Sequence, residues 1–179
     1  LSRNNNRKSR KLMITEENFV TPWAKLSARE FDSWHSMCSY LGAFPPPLAN
    51  YFIRYFTNEK ELVFDPFSGR GTTALEARIC NRKTVATDLN PIALALSEAK
   101  NYNLTKEEIF TRVEELEKKY DHALYQPEAM AQSDEVHLIF HPRTLAQLCY
   151  LRRKLLKSDK PVDKYLIGIT LGVLHGGER

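Results

Sequence analysis

A single stretch, ELVFDPFSGRGTTALEA at residues 61–77, constrains the fold of this chain more than any other. It opens with an apolar run that ends in an acid, passes through a turn with two glycines, and closes on residues that favour a helix. This order predicts a strand, a tight turn and a helix, with a turn that a ligand can approach closely. The pattern leaves open whether that ligand is a dinucleotide, a phosphate or a molecule without phosphate.

The following residues repeat the same order and predict an α/β fold. A strand at 61–65 and a helix at 72–81 are followed by a strand at 83–90, which contains Asp88 near its end, and by a helix at 91–103. Strands that alternate with helices pair in parallel through right-handed crossovers. The chain is therefore expected to form a partial parallel sheet flanked by helices, and 61–65 is expected to be a buried strand.

Periodicity and turn residues predict the remaining elements. A capping-box pattern favours a helix at 27–41, with Phe31, Trp34, Cys38 and Leu41 on its core face. Three prolines then direct the chain into a helix that begins near Pro47 or Leu48, with Leu48, Tyr51, Phe52 and Tyr55 as its apolar stripe. Further predictions are helices at 105–122 and 141–157, a loop at 125–135, and a short strand or buried segment at 136–140.

Composition suits one domain that is soluble and cytoplasmic. The chain has 179 residues, 42% of them hydrophobic, and a net charge of +4. Three widely spaced cysteines indicate reduced, buried thiols rather than disulfides, and neither they nor the five histidines have the spacing of a metal site. No apolar run approaches the roughly 18 residues of a membrane helix. Because the chain begins with Leu and ends in LGVLHGGER, we expect it to be part of a longer protein.

Two basic segments permit a nucleic-acid partner without requiring one. Residues 1–12 contain five Arg or Lys and no acid, so they form either a solvated arm or a contact to phosphates. The cluster Arg152, Arg153, Lys154 and Lys157 likewise indicates a solvated face or a DNA contact. We therefore divide the chain into a basic arm with its lead-in at 1–26 and a ligand-binding domain at 27–179.

Three ligands compete for the glycine loop. A triphosphate loop requires a lysine that GRGTT lacks. The dinucleotide fingerprint matches at residues 69–74, and Asp88 follows at a distance suited to ribose hydroxyls. However, Asp65 immediately precedes the loop, where a carboxylate would repel a pyrophosphate. It suits S-adenosylmethionine, which has a cationic amino group and no phosphate, unless Asp65 serves only to cap the turn.

The motif DPFSGRGTT resembles the cofactor loop of the amino-group DNA methyltransferases, which form N6-methyladenine or N4-methylcytosine. MCSYLGAFPPPLANYFI resembles their other cofactor segment, and ATDLNPIALALSEAK resembles their acid-tipped second strand and the helix behind it. The resemblance implies a Rossmann-like S-adenosylmethionine-dependent methyltransferase fold and a double-stranded DNA partner. The cofactor-binding residues that it implies are Phe44, Pro45, Asp65, Pro66, Phe67, Gly69, Gly71, Thr72, Thr73, Asp88, Leu89 and Asn90.

Within that family, the resemblance implies different contacts for different residues. The acid, the aromatic ring and the glycines of the loop would line the methionine side of the cofactor. Thr72 and Thr73 would hold its carboxylate end, helped by the helix N-terminus and the Phe44 region. Asp88 would bind the ribose hydroxyls.

The family's catalytic motif, [DNS]-P-P-[YFW], does not occur in these residues, so no catalytic residue is assigned. FPPPL at 44–48, FDPFS and FHPRT each fail to match it. We expect this motif beyond Arg179, before Leu1 or in a second subunit, in that order of preference. The resulting interpretation is the cofactor half of a DNA methyltransferase, from restriction–modification or phage defence, with no metal. The alternatives are a non-catalytic module that binds S-adenosylmethionine, an RNA methyltransferase and a nucleotide-dependent dehydrogenase.

Overall fold

A computed structural model of the chain describes residues 33–38, 40 and 42–174. In this part of the chain, a short 3-10 helix at Ser33–Ser36 precedes two strands and eight helices. The strands are β1 (Leu62–Asp65) and β2 (Lys83–Ala86). The helices are α1 (Pro46–Phe56), α2 (Thr72–Ile79), α3 (Pro91–Ala99), α4 (Lys106–Lys118), α5 (His122–Met130), α6 (Asp134–Ile139), α7 (Pro142–Leu155) and α8 (Pro161–Leu174). The helix-rich fold with a small parallel sheet fits the α/β prediction.

The sheet pairs β1 and β2 in parallel, with Leu62 opposite Lys83 and Asp65 opposite Ala86. Pairing continues one residue beyond β2, because the Thr87 amide donates to the Asp65 carbonyl at 2.9 Å. The two strands therefore end at one edge of the sheet. This places the loop after β1 beside the residues that follow β2.

The prediction of a buried strand at 61–65 is wrong about its burial, because the residues of β1 are half-buried on one face and exposed on the other. Val63 packs against the core that α1 and α2 share. On the other face, Leu62 is 59% exposed, Phe64 61% and Val85 47%. Within the described residues, helices thus cover this parallel pair on one side, whereas parallel sheets are generally covered on both.

A small core joins α1 to α2 through Ala49, Ile53, Ala77 and Cys80. Small side chains at this crossing allow the two helices to approach closely.

The predicted apolar stripe of α1 is therefore wrong, because the buried face of the helix is the one with Ala49 and Ile53. Phe52 is 39% exposed. Instead of entering the core, the aromatic residues of α1 stack along the helix, with Tyr51 on Tyr55 at 5.8 Å and Phe52 on Phe56 at 5.9 Å between ring centroids.

A polar contact holds the 3-10 helix and α1 against α2. Glu76 is fully buried and lies 2.7 Å from His35 Nε2, while Asn50 Nδ2 donates to its other oxygen at 2.6 Å. A buried carboxylate is tolerated when both oxygens are paired in this way.

The predicted α-helix at 27–41 is shorter and tighter in the residues that the structure describes. A 3-10 helix ends at Ser36, and Met37 and Cys38 lie in a bend. Cys38 is buried as predicted and Trp34 packs on Tyr165 of α8, whereas Phe31 and Leu41 lie outside the described residues.

A second core lies between α5 and α7. Its largest members are Tyr125, Leu145 and Tyr150, and the Tyr150 hydroxyl donates to the Leu116 carbonyl of α4 at 2.7 Å. This single bond satisfies the polar end of a buried ring and attaches α4 to the pair.

The predicted loop at 125–135 is wrong, because residues 122–130 form α5. Asp121 caps this helix by accepting the Ala123 amide at 3.0 Å, and burial of Tyr125 and Ala129 offsets the cost of Pro127 in its interior. The predicted strand or buried segment at 136–140 is also wrong.

That segment belongs mostly to α6, which begins after Ser133 with two acids in its first turn. None of its helical residues is buried. Acids in the first turn stabilise a helix, and they outweigh the β-propensity of the short apolar run VHLIF.

Helix α8 packs against α3 at a crossing that only glycine permits. A Cβ built at Gly168 would lie 2.3 Å from the Cβ of Ala99. Two polar contacts support α8 at other points. Arg112 of α4 donates twice to the buried Asp163, at 2.7 and 3.2 Å, and Lys164 pairs with Glu98 of α3 at 3.8 Å.

The prediction of free, buried thiols is confirmed for Cys38, Cys80 and Cys149. Among the helices of the described ranges, none is long and apolar enough to cross a membrane. The basic arm at 1–26 and the terminal glycines at 176–177 lie outside the described residues.

Candidate functional site

The glycine loop connects the end of β1 to the start of α2 in a tightly bonded turn. Asp65 Oδ1 accepts the Phe67 amide at 3.0 Å, so this carboxylate does cap the turn. The Ser68 amide donates to the Thr87 carbonyl at 2.9 Å, and the Gly71 amide donates to the Ser68 carbonyl at 2.8 Å. This bond occupies one oxygen of Asp65, which leaves lone pairs of the carboxylate for a further donor.

Asp88 joins the end of β2 to the glycine loop. Its Oδ2 accepts the Gly69 amide at 2.8 Å, and its Oδ1 accepts the Asn90 amide at 2.9 Å. These bonds, from Asn90 first and then Gly69, hold the pKa of Asp88 below its ordinary value. Asp88 is therefore an ionised carboxylate at neutral pH, fixed against the loop with lone pairs to spare.

Both glycines of the loop adopt left-handed backbone, with φ of 49° at Gly69 and 81° at Gly71. Gly71 is also the residue that precedes α2, and a Cβ there would lie 2.7 Å from the Cα of Ser97. Because Gly71 has no side chain to cap α2, the first-turn amides receive no bond from that position. An uncapped helix N-terminus favours a carboxylate or another anion.

Helix α3 supports the loop from behind with two polar side chains. Ser97 Oγ lies 3.1 Å from the Gly69 carbonyl oxygen, and Lys100 Nζ lies 2.5 Å from the Arg70 carbonyl oxygen. Lys100 is fully buried. Burial, together with the positive charge of Arg70, lowers the pKa of Lys100 from 10.5 to about 8. The sequence analysis did not identify either residue, because the side chain of a lysine at the end of a helix is ordinarily exposed to solvent.

Tyr40 is a third residue that sequence reasoning missed. A Cβ at Gly69 would lie 3.4 Å from its ring, and its hydroxyl lies 3.3 Å from Asn90 Nδ2. The ring thus contacts the glycine loop and also reaches the loop after β2. The only signal for it in the sequence is an aromatic residue a few positions before Phe44 and Pro45.

The structure brings most of the predicted residues to one edge of the sheet. The hydrogen bonds given above connect Phe67 to Asp65, and they connect both Gly69 and Asn90 to Asp88. Phe67 is 80% exposed and Leu89 is 99% exposed, so the loop after each strand presents an apolar side chain to solvent.

A second group of predicted residues lies on the α1 side. Phe44 and Thr73 line a groove of about 440 Å³ together with apolar residues of α1 and β1. Pro45 precedes α1 as its cap residue, and Pro66 is exposed in the turn. Thr72 is buried at the first position of α2.

Two of the four cations in the basic cluster at the end of α7 share one acidic partner. Arg152 and Arg153 both pair with Glu128 of α5, at 2.8 and 2.5 Å. Arg153 and Lys154 also lie over the rings of Tyr125 and Tyr150. These contacts favour the interpretation of a structural, solvated face over that of a DNA-binding surface.

A parallel strand pair, a glycine loop at its carboxyl edge and an acid bonded to that loop fit an α/β domain of the methyltransferase-like class. The chain belongs to the DNA methylase family, whose model matches residues 2–100, more than half of its length. This confirms the resemblance to the amino-group DNA methyltransferases.

Three curated proteins are similar to it. The type II methyltransferase M.MjaII of Methanocaldococcus jannaschii is 26% identical over 73% of this chain and 25% of its own length. The type II methyltransferase M.BsoBI of Geobacillus stearothermophilus is 27% identical over 79% of this chain and 30% of its own. The orphan methyltransferase M.BamHII of Bacillus amyloliquefaciens is 43% identical over 33% and 23%.

The chain thus spans less than a third of the length of these relatives. No solved structure matches it. Among the described residues, no group of His, Cys, Asp and Glu has the arrangement of a metal site.

Proposed function

We propose that this chain binds S-adenosylmethionine and forms the cofactor half of a DNA methyltransferase that modifies an exocyclic amine of adenine or cytosine. The observation that carries the proposal is the bond between the Asp88 carboxylate and the Gly69 amide. It holds an acid and a glycine loop together at the edge where α/β domains bind ligands. Bound there, the cofactor supplies an activated methyl group.

The residues present fit this cofactor better than a phosphate ligand. Asp65 and Asp88 place two carboxylates at the loop, which disfavours a pyrophosphate and favours a cationic amino group and ribose hydroxyls. The uncapped start of α2 suits the single carboxylate of the methionyl end. Asp65 would orient the amino group, Asp88 the ribose, and the exposed Phe67 and Leu89 would shield the bound molecule from water.

We propose a Rossmann-like fold for the complete domain, of which residues 27–179 form the cofactor-binding part. The face of β1 and β2 that the described residues leave uncovered supports this, since parallel sheets are generally covered on both faces. The [DNS]-P-P-[YFW] motif would come from sequence beyond Arg179, before Leu1 or from a second subunit. Double-stranded DNA is the proposed substrate, in restriction–modification or phage defence.

Calorimetry of the purified chain with S-adenosylhomocysteine and with NAD tests the proposal. We expect heat of binding with the first ligand and none with the second. Asp65→Ala and Asp88→Ala should each abolish measurable binding. Absence of binding by the wild-type chain would reject the proposed function, and binding of NAD alone would favour a dehydrogenase.

The matched control is Asp121→Ala, which removes a similar side-chain bond to a backbone amide at the start of α5. It should lower stability by about 1 kcal/mol and leave the affinity unchanged. This variant separates loss of the site from general loss of stability.

A second candidate is a non-catalytic module that binds the same cofactor within a larger complex. The absence of [DNS]-P-P-[YFW] from residues 1–179 favours it. A methyl-transfer assay on DNA, carried out with the full-length gene product, distinguishes the enzyme from the non-catalytic module. The 179-residue chain alone should bind cofactor and transfer no methyl group.

A further inference from the structure

We propose that Ser97 of α3 and Lys100, which caps the C-terminus of that helix, are positioning residues, which orient the glycine loop for the amino-acid end of the cofactor. This inference rests on the proposed function, because it assigns a role to residues that lie behind the proposed site. Neither residue is expected to touch the ligand.

The two side chains hold consecutive carbonyls of the loop. Ser97 Oγ lies 3.1 Å from the oxygen of Gly69, and Lys100 Nζ donates to the oxygen of Arg70 at 2.5 Å. Ser97 and Lys100 are three positions apart on α3, so they face the loop from one side of the helix. Ser97 is 3% exposed and Lys100 is fully buried, so water competes little for either bond.

These bonds determine which groups the loop presents on its other side. In a trans peptide, the carbonyl and the following amide point in opposite directions. Because the Gly69 carbonyl faces Ser97, the amide of Arg70 points away from α3. A hydroxyl carries one proton, which Ser97 can give to Gly69 while accepting a bond from Ser68 Oγ at 3.2 Å.

Lys100 also contributes charge. In the part of the chain that the structure describes, it forms no ion pair with a carboxylate. A fully buried ammonium without a carboxylate partner is costly to the fold. It places a cation directly behind the loop and near the uncapped start of α2, where the carboxylate of an amino acid would be stabilised. Its pKa of about 8 keeps it mostly protonated at neutral pH.

The experiment compares two ligands that differ only at the amino-acid end. S-adenosylhomocysteine carries that end, and 5′-methylthioadenosine lacks it while keeping the adenosine. Calorimetry with the full chain should show that Lys100→Met and Ser97→Ala each weaken binding of S-adenosylhomocysteine by about tenfold, the effect of one buried hydrogen bond. Binding of 5′-methylthioadenosine should change by less than about twofold.

Lys164→Met is the matched control. Lys164 also brings an ammonium group to α3, where it pairs with the carboxylate of Glu98 and not with a carbonyl of the loop. It should leave both affinities unchanged. Ser97→Ala removes a single oxygen, so it carries the test if Lys100→Met fails to fold.

The outcomes distinguish this inference from the proposed function. If the wild-type chain binds neither ligand, the proposed function fails and the positioning role fails with it. If the wild-type chain binds both and the variants weaken both equally, Ser97 and Lys100 are merely structural. Unchanged binding of S-adenosylhomocysteine in either folded variant also overturns the positioning role, while the proposed function stands.

Discussion

Gly71→Ala is the substitution whose cost the structure defines most closely. Gly71 has a φ of 81°, and the left-handed region costs a residue with a Cβ about 1–2 kcal/mol. The new Cβ would lie 2.7 Å from the Cα of Ser97, whereas carbon atoms pack at about 3.5–4.0 Å. The contact atom belongs to the backbone of α3, so relief requires a shift of the helix or the loop. Such overpacking costs about 1–3 kcal/mol.

The expected loss of unfolding free energy is therefore about 2–5 kcal/mol. Urea unfolding followed by circular dichroism measures it as a lower midpoint at an unchanged m-value. Gly42→Ala is the matched control, because Gly42 has a φ of 79° and nothing lies within 4 Å of its Cβ position. This variant should lose only the backbone contribution of about 1–2 kcal/mol.

The difference between the two variants isolates the contact with α3. Equal losses for Gly71→Ala and Gly42→Ala would refute the close approach of the loop to Ser97. A double-mutant cycle with Ser97→Ala gives a second check, since the Oγ of Ser97 also lies 2.7 Å from the new Cβ. We expect a coupling energy of about 0.5–3 kcal/mol for residues in such contact.

Three further predictions concern buried polar groups. Glu76→Ala leaves His35 and Asn50 without their shared acceptor and should lower the free energy of unfolding in urea by about 3–5 kcal/mol. Glu76→Gln keeps an acceptor and should cost less. Equal costs for the two variants would contradict the role of the carboxylate. Asp163→Ala should likewise cost about 3–5 kcal/mol, because it removes the buried partner of Arg112, whereas loss of the exposed partner in Glu115→Ala should cost much less. Lys100, which faces Arg70 and Cys38, has a folded pKa of about 8 against 10.5. Between these values the unfolded chain binds a proton that the folded chain does not, so the wild type should become more stable as the pH rises. Its free energy of unfolding, relative to that of Lys100→Met, should rise by about 1 kcal/mol per pH unit from about pH 8 to about pH 10. A difference that does not change with pH would refute the burial of a titrating lysine.

Local chemistry explains which elements the sequence predicts well. Asn90 caps α3 and Pro91 follows it at the first turn, and Thr105 and Glu108 form a reciprocal capping box at the start of α4. These signals involve residues two or three positions apart, so the sequence displays them directly. Part of the glycine loop belongs to the same class, since the bond from the Phe67 amide to Asp65 and the positive φ of its two glycines are local features.

The errors arise where distant contacts decide the outcome. Residues 125–135 contain a proline and polar residues typical of a loop, yet Tyr125 and Ala129 bury themselves against α7 and hold a helix there. In α1, the aromatic residues have the right spacing for a core stripe, but the small residues of α2 accept Ala49 and Ile53 instead. Neither partner can be identified from local periodicity, because tertiary packing overrides propensity.

The site shows the same division between local and distant information. Asp65, Gly69 and Asp88 are recognisable because their residue types and spacing carry chemistry. Lys100 lies 30 residues from the carbonyl that it binds, and Ser97 lies 28 from its own. Local sequence alone assigns a lysine at the end of a helix to solvent, and only the packing of α3 under the loop gives it a buried acceptor. The residues that form the loop can thus be predicted from the sequence, whereas those that hold it in position can be identified only from the fold.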